Sequence, residues 1–243
     1  MKKTIIYAIL GAAAILQSCQ KEAASGRLGF EIEASNVEVV QLVKSSVSNY
    51  TSTPPQGDFT LLIKDESGAT FWTGLQKDWD ASSAVPVGNY TVSASFGDTD
   101  QEGFDKPCFN GSANFSVEPD KTSTVPVTVK LANCIVRIIC TDAFKNYFTD
   151  YTFTINTGAN KQFSFPKSET RACFIDAFKF SVSGTLTNQG GQTQTFGPKE
   201  YTDLNAATCY TLKFDTNNTG GTSITITFDD TVDTVDLGDI ELN

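Results

Sequence analysis

The side chains of this chain that could do chemistry are carboxylates, thiols and hydroxyls, because the sequence contains no histidine. That absence removes Ser-His-Asp and Cys-His catalysis, imidazole general bases and imidazole-ligated metal sites. Paired-carboxylate hydrolysis of glycosides remains open, since it needs only Asp or Glu at the right separation. With 28 acidic residues, chance pairs are plentiful and solvated carboxylates are the plainer reading. Asp98-Thr99-Asp100-Gln101-Glu102-Gly103 sets carboxylates at alternate positions ahead of a glycine, as the first half of a calcium loop does. The closing bidentate Glu of such a loop would fall on Phe109, which cannot ligate. The stretch is expected to be an acidic hairpin, and no metal or cofactor is implied.

Cys108, Cys134, Cys140, Cys173 and Cys209 are an odd set with no Cys-x-x-Cys spacing, so neither a complete disulfide framework nor a zinc site is indicated. Cys134 and Cys140 fall on one face of an extended strand but too far apart to bond to each other, and buried free thiols are expected. Cys19 is different. It follows Lys2, Lys3, an apolar stretch from Ile5 to Leu16, and the tetrad Leu16-Gln17-Ser18-Cys19. Twelve apolar residues reach only ~18 Å as a helix, short of a ~30 Å bilayer core, so the segment reads as a cleaved leader. The tetrad resembles the lipobox of bacterial lipoproteins. That implies a signal peptide over 1–18, lipidation of Cys19, a tether over 19–27, and a membrane partner reached through the lipid. Gln20-Lys21-Glu22 resembles the signal that sends Bacteroidetes lipoproteins to the cell surface. The formal charge of −10 becomes −12 without Lys2 and Lys3, which repels nucleic acid.

The elements that must position these residues are strands. Leu28, Phe30 and Ile32 alternate, as do Phe59, Leu61 and Ile63, and Tyr90, Val92, Ala94 and Phe96. Val37 to Val43, Ala113 to Val117, Thr122 to Leu131, Cys134 to Thr141, Ile224 to Phe228 and Val232 to Leu242 add further strands. Residues 122 to 141 are too long for one strand, so a break is expected near Ala132-Asn133. Asp142 to Phe148 suits one helical turn capped by Thr141. Val85-Pro86-Val87-Gly88-Asn89-Tyr90 resembles the tyrosine corner of Greek-key sandwiches, which gives Gly88 and Tyr90 a structural role. Asp58 to Ile63 is echoed by Asp150 to Ile155, and Tyr90 to Ala94 by Phe178 to Val182, which favours two similar units. The expected fold is all-β: two tandem β-sandwiches of immunoglobulin or transthyretin type, over 28–132 and 133–243.

The phrases VPVGNYTVSASFGD, DKPCFNGSANFSV and TVPVTVKLANCIVRIICTDAFKNYFTDYTFTI, in that order behind a lipobox, resemble the Bacteroidetes lipoprotein family called domain of unknown function 4493. The resemblance implies an all-β envelope lipoprotein and brings no established activity. Fimbrillins, pilus subunits of the same phylum, are a more distant likeness, with a two-sandwich build and a protease cut after an Arg. Arg27 is the candidate here. It stands only eight residues after Cys19, so a cut would free the whole fold and open no groove.

These observations point to a non-enzymatic, lipid-anchored surface protein of adhesion or scaffold type, acting on a surface protein or glycan. A glycan-binding lipoprotein serving an outer-membrane transporter is the alternative, and a carboxylate hydrolase the remote one. The loop from Asp98 to Asn110 is the expected contact site, with Asp98, Asp100 and Glu102 as polar groups and Phe104 and Phe109 as apolar anchors. Phe71, Trp72 and Trp79 are expected to seal a sandwich rim more readily than to hold a sugar ring. Thr231 and Thr234, each in an Asp-Thr-aliphatic triplet, resemble the O-glycosylation motif of exported Bacteroidetes proteins.

Overall fold

The computed structural model describes residues 24–34, 37–39, 44–45, 50–176, 179–216, 223–228 and 240–241. Cys19, Thr231 and Thr234 lie outside the described residues. The first half forms β1 (Ser25–Ala34), β2 (Val37–Val39), β3 (Lys44–Ser45), β4 (Thr60–Asp65), β5 (Thr70–Leu75), β6 (Val85–Pro86), β7 (Gly88–Phe96), β8 (Gly103–Phe104), β9 (Phe109–Val117) and β10 (Thr122–Leu131). The second forms β11 (Cys134–Cys140), α1 (Asp142–Tyr147), β12 (Phe148–Thr157), β13 (Gln162–Pro166), β14 (Cys173–Ile175), β15 (Phe180–Asn188), β16 (Thr193–Tyr201), β17 (Thr208–Thr216), β18 (Ser223–Phe228) and β19 (Ile240–Glu241). The fold is all-β. Among the described residues no helix is long and apolar enough to cross a membrane.

Period-two patterning sets the faces. In β10, Val125, Val127, Val129 and Leu131 are buried while the residues between them are exposed. The chain turns at Ala132-Asn133, and hydrogen bonds hold this bend. The buried Asn133 amide donates to the Lys106 carbonyl at 3.0 Å and accepts from the Cys108 N–H at 3.3 Å. Thr141 caps α1 by accepting from the Phe144 N–H.

The seven-stranded sheet of the first half runs β5-β4-β7-β9-β10-β1-β6, with β1 parallel to β10. It doubles over where β9 meets β10. A side chain at Gly111 would place its Cβ 2.2 Å from the Thr128 carbonyl oxygen, so glycine permits that approach. The two ends of the sheet then enclose one core of Leu28, Leu61, Ile63, Val92, Val127 and their neighbours.

The second half repeats this wiring. β13-β12-β15-β16 matches β5-β4-β7-β9, β11 lies parallel to β17 as β1 does to β10, and β14 pairs with β11 as β6 does with β1. The echoed segments noted in the sequence are thus β4 with β12 and β7 with β15. The second core is rich in phenylalanine: Phe153 stacks on Phe214 with centroids 4.0 Å apart, and Phe144 and Phe196 close around them.

A division between residues 132 and 133 does not separate the two units cleanly. β2 pairs with β17 and β8 pairs with β14, so the first half supplies strands to the second half's sheet. Along β11 the alternation serves both sides. Cys134 and Val136 face the second core, while Ile135 joins the first core together with Phe174 and Cys209. A sheet corner buried on both faces reads as a continuous apolar run, which is what Cys134-Ile135-Val136 is. The tether also ends earlier than residue 27. β1 begins at Ser25, and the Arg27 N–H donates to the Lys121 carbonyl at 2.8 Å.

Candidate functional site

The loop from Asp98 to Asn110 is a staple between the two halves, and its aromatic residues are not surface anchors. Phe109 is 1% exposed and sits in the first core beside Phe59. Phe104 packs against Phe163 and Phe165 of the second unit, with the Arg171 guanidinium 4.7 Å above its ring. These placements correct the expectation of an outward-facing pair. A polar loop carrying apolar residues at 104 and 109 gains more by burying Phe109 and packing the half-buried Phe104 against the second core than by holding both in water.

The loop's carboxylates do not converge. Asp98 turns back to accept from the Asp100 N–H at 2.9 Å, as an Asx turn does. Glu102 points the other way, accepting from the Asp176 N–H at 2.7 Å and the Thr157 hydroxyl at 2.5 Å. The Lys161 ammonium donates to the Asp100 carbonyl. Arg171 bridges Asp105, at 3.0 Å, and Glu169, at 2.8 Å. The Arg171 hydrogen bonds hold the Glu169 carboxyl down at about 2, despite some desolvation. Gly103, at φ +144°, lets β8 pass close to the Phe163 ring. Asp98, Asp100 and Asp105 stay exposed along the outer edge.

The Tyr90 hydroxyl donates to the Pro86 carbonyl at 3.0 Å, across Val87 and Gly88. Its ring stacks on Phe115, and Phe71 meets it edge-on. Trp72 and Trp79 meet edge to face at 5.1 Å, and the Trp79 indole donates to the Leu28 carbonyl at 2.8 Å. Phe71, Trp72 and Trp79 therefore form no flat platform, because edge-on packing presents no shared face to a sugar ring.

A surface that the sequence analysis did not single out lies on the outer face of β5-β4-β7-β9. Asn89, Thr91 and Ser95 on β7 stand opposite Ser116, Asn114 and Asn110 on β9, all exposed. The Thr91 hydroxyl donates to the Asn114 amide oxygen at 2.8 Å, and the Ser116 hydroxyl to the Asn89 amide oxygen at 2.7 Å. A shallow depression of about 300 Å³ opens there, bounded by Glu66, Thr91 and Asn114. The signal was available: the polar phase of the β7 and β9 alternation contains only Ser, Thr and Asn, with no charged residue. Such a face offers many neutral donors and acceptors at low desolvation cost.

The thiols are not poised to react. All five described cysteines are free and buried. Burial pushes Cys134 up to about 12 and Cys140 to about 11, and raises Cys173 and Cys108 as well. Among the described residues no group of three Cys, Asp or Glu side chains is arranged to hold a metal ion.

Residues 24–243 match the family model described as Domain of unknown function (DUF4493), and the chain belongs to that family. No curated protein matches it. Among solved structures it is similar to a Bacteroides thetaiotaomicron protein named "putative cell adhesion protein", at 14% identity and TM-score 0.45, covering 79% of this chain and 92% of that one. A protein of Bacteroides uniformis with the same name is 8% identical at TM-score 0.46, over 85% and 96% of the two chains. A fimbrial assembly protein from Parabacteroides distasonis is 11% identical at TM-score 0.39, over 76% and 90%.

Proposed function

We propose that this chain is a lipid-anchored cell-envelope protein of adhesion or scaffold type, held through Cys19 in the outer membrane and displayed at the cell surface. It works by contact and not by catalysis. The observation that carries this reading is the uncharged Ser, Thr and Asn face of β7 and β9, which stands out on a chain of net charge −10. Neutral hydroxyl and amide ladders suit a hydroxyl-rich or peptide surface, and they hold it by many weak hydrogen bonds whose sum depends on flatness. The stapled junction supports the same role, since strands paired between the units can carry load from anchor to contact face. The lipobox tetrad and the basic, apolar leader support the anchor.

The test displays the protein on cells of its host and compares three forms. Cys19→Ala should leave the membrane fraction and lose labelling by a fatty-acid analogue. Ser112→Arg with Asn114→Arg should keep label, fold and surface exposure while losing most binding to host glycoprotein or neighbouring cells, because two cations interrupt the neutral face. Wild-type adhesion by the double variant would overturn the contact face. Continued labelling of Cys19→Ala would overturn the anchor.

A further inference from the structure

The two units share a weak point, and they treat it differently. In each, the strand that begins the unit is paired on its outer edge, among the described residues, only at its start. β6 covers β1 at Ser25 and Gly26, and β14 covers β11 from Cys134 to Val136. Beyond that no described strand pairs with the edge, beside the mouth between the two layers. The register equates Gly26 with Val136, and so Leu28 with Ile138 and Phe30 with Cys140.

In the first unit the open edge is plugged. The connection from β5 to β6 is nine residues long and carries Gln76 and Trp79. The Trp79 indole N–H donates to the Leu28 carbonyl at 2.8 Å, and the Gln76 amide reaches the Phe30 carbonyl at 3.5 Å. The Trp79 ring packs edge-on against Phe30 at 5.5 Å. In the second unit the matching connection, Lys167 to Ala172, has six residues and no aromatic or amide side chain. A cleft of about 330 Å³ lies there, walled by Ile138, Cys140, Tyr151, Phe153 and Phe165.

The rim of this cleft is cationic. Lys145 and Lys167 line it, on a chain that carries only 18 basic residues against 28 acidic ones, while the Arg137 guanidinium lies 5.4 Å over the Tyr50 ring, on the other phase of β11. Lys167 uses one of its protons on the Thr149 carbonyl, and Lys145 lies 3.9 Å from the exposed Asp142. The one carboxylate in the lining, Glu169, is already held by Arg171. An anion entering this mouth therefore meets two ammonium groups and no unpaired carboxylate of the lining.

We propose that this cleft binds a small aromatic acid: a planar ring with an N–H donor, in the place Trp79 fills in the sister unit, and a carboxylate turned to the cationic rim. The ring lies against the accessible parts of Ile138 and Pro166, its donor faces the carbonyls of the open β11 edge, and the acid meets Lys145 and Lys167. The volume, near the lower end for ligand pockets, suits one bicyclic ring and not a chain of sugars. The Cys140 thiol and Tyr151 phenol at the back stay protonated, so the cleft holds its ligand unchanged.

The experiment titrates the full mature chain, made without its leader and with Cys19→Ser, with indole-3-acetate and with indole. Amide shifts of Arg137 to Cys140 are followed by NMR. Saturable shifts confined to this strand and its neighbours are expected, with the acid about tenfold tighter than indole, as one charge-assisted contact gives. Lys145→Gln with Lys167→Gln should bring the acid down to the affinity of indole. Thr170→Trp, which supplies the missing plug, should abolish both while the rest of the spectrum is preserved. No saturation at millimolar ligand, or affinities unmoved by these substitutions in folded protein, would overturn the proposal.

Discussion

The first unit closes its flank with its own indole and amide, whereas the second leaves the same flank open and spends its aromatic residues inside. Around Phe153 the second unit gathers Phe144, Tyr151, Phe196 and Phe214, so much of its packing converges on one ring. The first unit spreads its core over aliphatic residues of β1, β4, β7 and β10, and keeps its tryptophans at the rim. The lesson is that a duplicated topology fixes where strands lie and which edges are exposed. Connection length and side-chain choice then decide whether an exposed edge becomes a seal or a mouth.

Replacing the central ring of the second core is the strongest way to break this contrast. Phe153→Ala should cost about 3–5 kcal/mol, as loss of a fully buried phenylalanine does. Both tryptophans report on the first unit, so their fluorescence in a urea titration reads the effect across the junction. Because Ile135, Phe174 and Cys209 join the first core, the fluorescence midpoint should fall along with the circular-dichroism midpoint. A fluorescence midpoint that stays put would mean that the two cores melt separately.

A smaller effect sharpens the contrast at the flank. Trp79→Phe keeps an aromatic ring but removes the N–H donor to Leu28, and should cost about 1 kcal/mol by loss of one hydrogen bond. Amide exchange should quicken along Leu28 to Phe30 and not along Ile138 to Cys140, whose edge has no such donor. Equal changes in both strands would remove the distinction between sealed and open flanks.

The mildest perturbation is acid, acting on the staple. Glu169 titrates at about 2 when folded, against an ordinary value of 4.5, so its contribution is whole above pH 4.5 and disappears as the pH falls toward 2. Stability should therefore decline across that window, and Arg171→Gln should flatten the decline. An unchanged slope in Arg171→Gln would show that Glu169 owes its low value to something other than Arg171.

Strands were legible wherever one face met a core and the other met water, because alternation is then imposed residue by residue. Leu28 to Ile32, Leu61 to Ile63 and Val125 to Leu131 announce themselves in this way. So did the break at Ala132-Asn133, since twenty extended residues exceed any usual strand. Partners were not legible. Gly103-Phe104 is too short to carry a period, and nothing local says that its neighbour is Cys173-Phe174. Phe104 and Phe109 looked like loop-tip anchors because a polar loop hides which residues face inward. The cleft has no local sequence signature, because its walls come from β11, α1, β12, β13 and the loop after β13. No linear motif joins them.

The strand β8 also sets a timetable. Chains emerge from synthesis N-terminus first, yet Phe104 has no strand to pair with until Cys173 has followed it out. The segment over 37–39 waits longer still, for Thr208 and Cys209. The first half can thus collapse around Leu61 and Val127 early, but it carries unsatisfied strand edges until nearly all of the polypeptide is present. Such long-separation pairings slow folding through the entropy of closing large loops. Maturation of this molecule is a race in which the earliest segments finish last, and any delay in delivering the second half leaves those edges open to foreign strands.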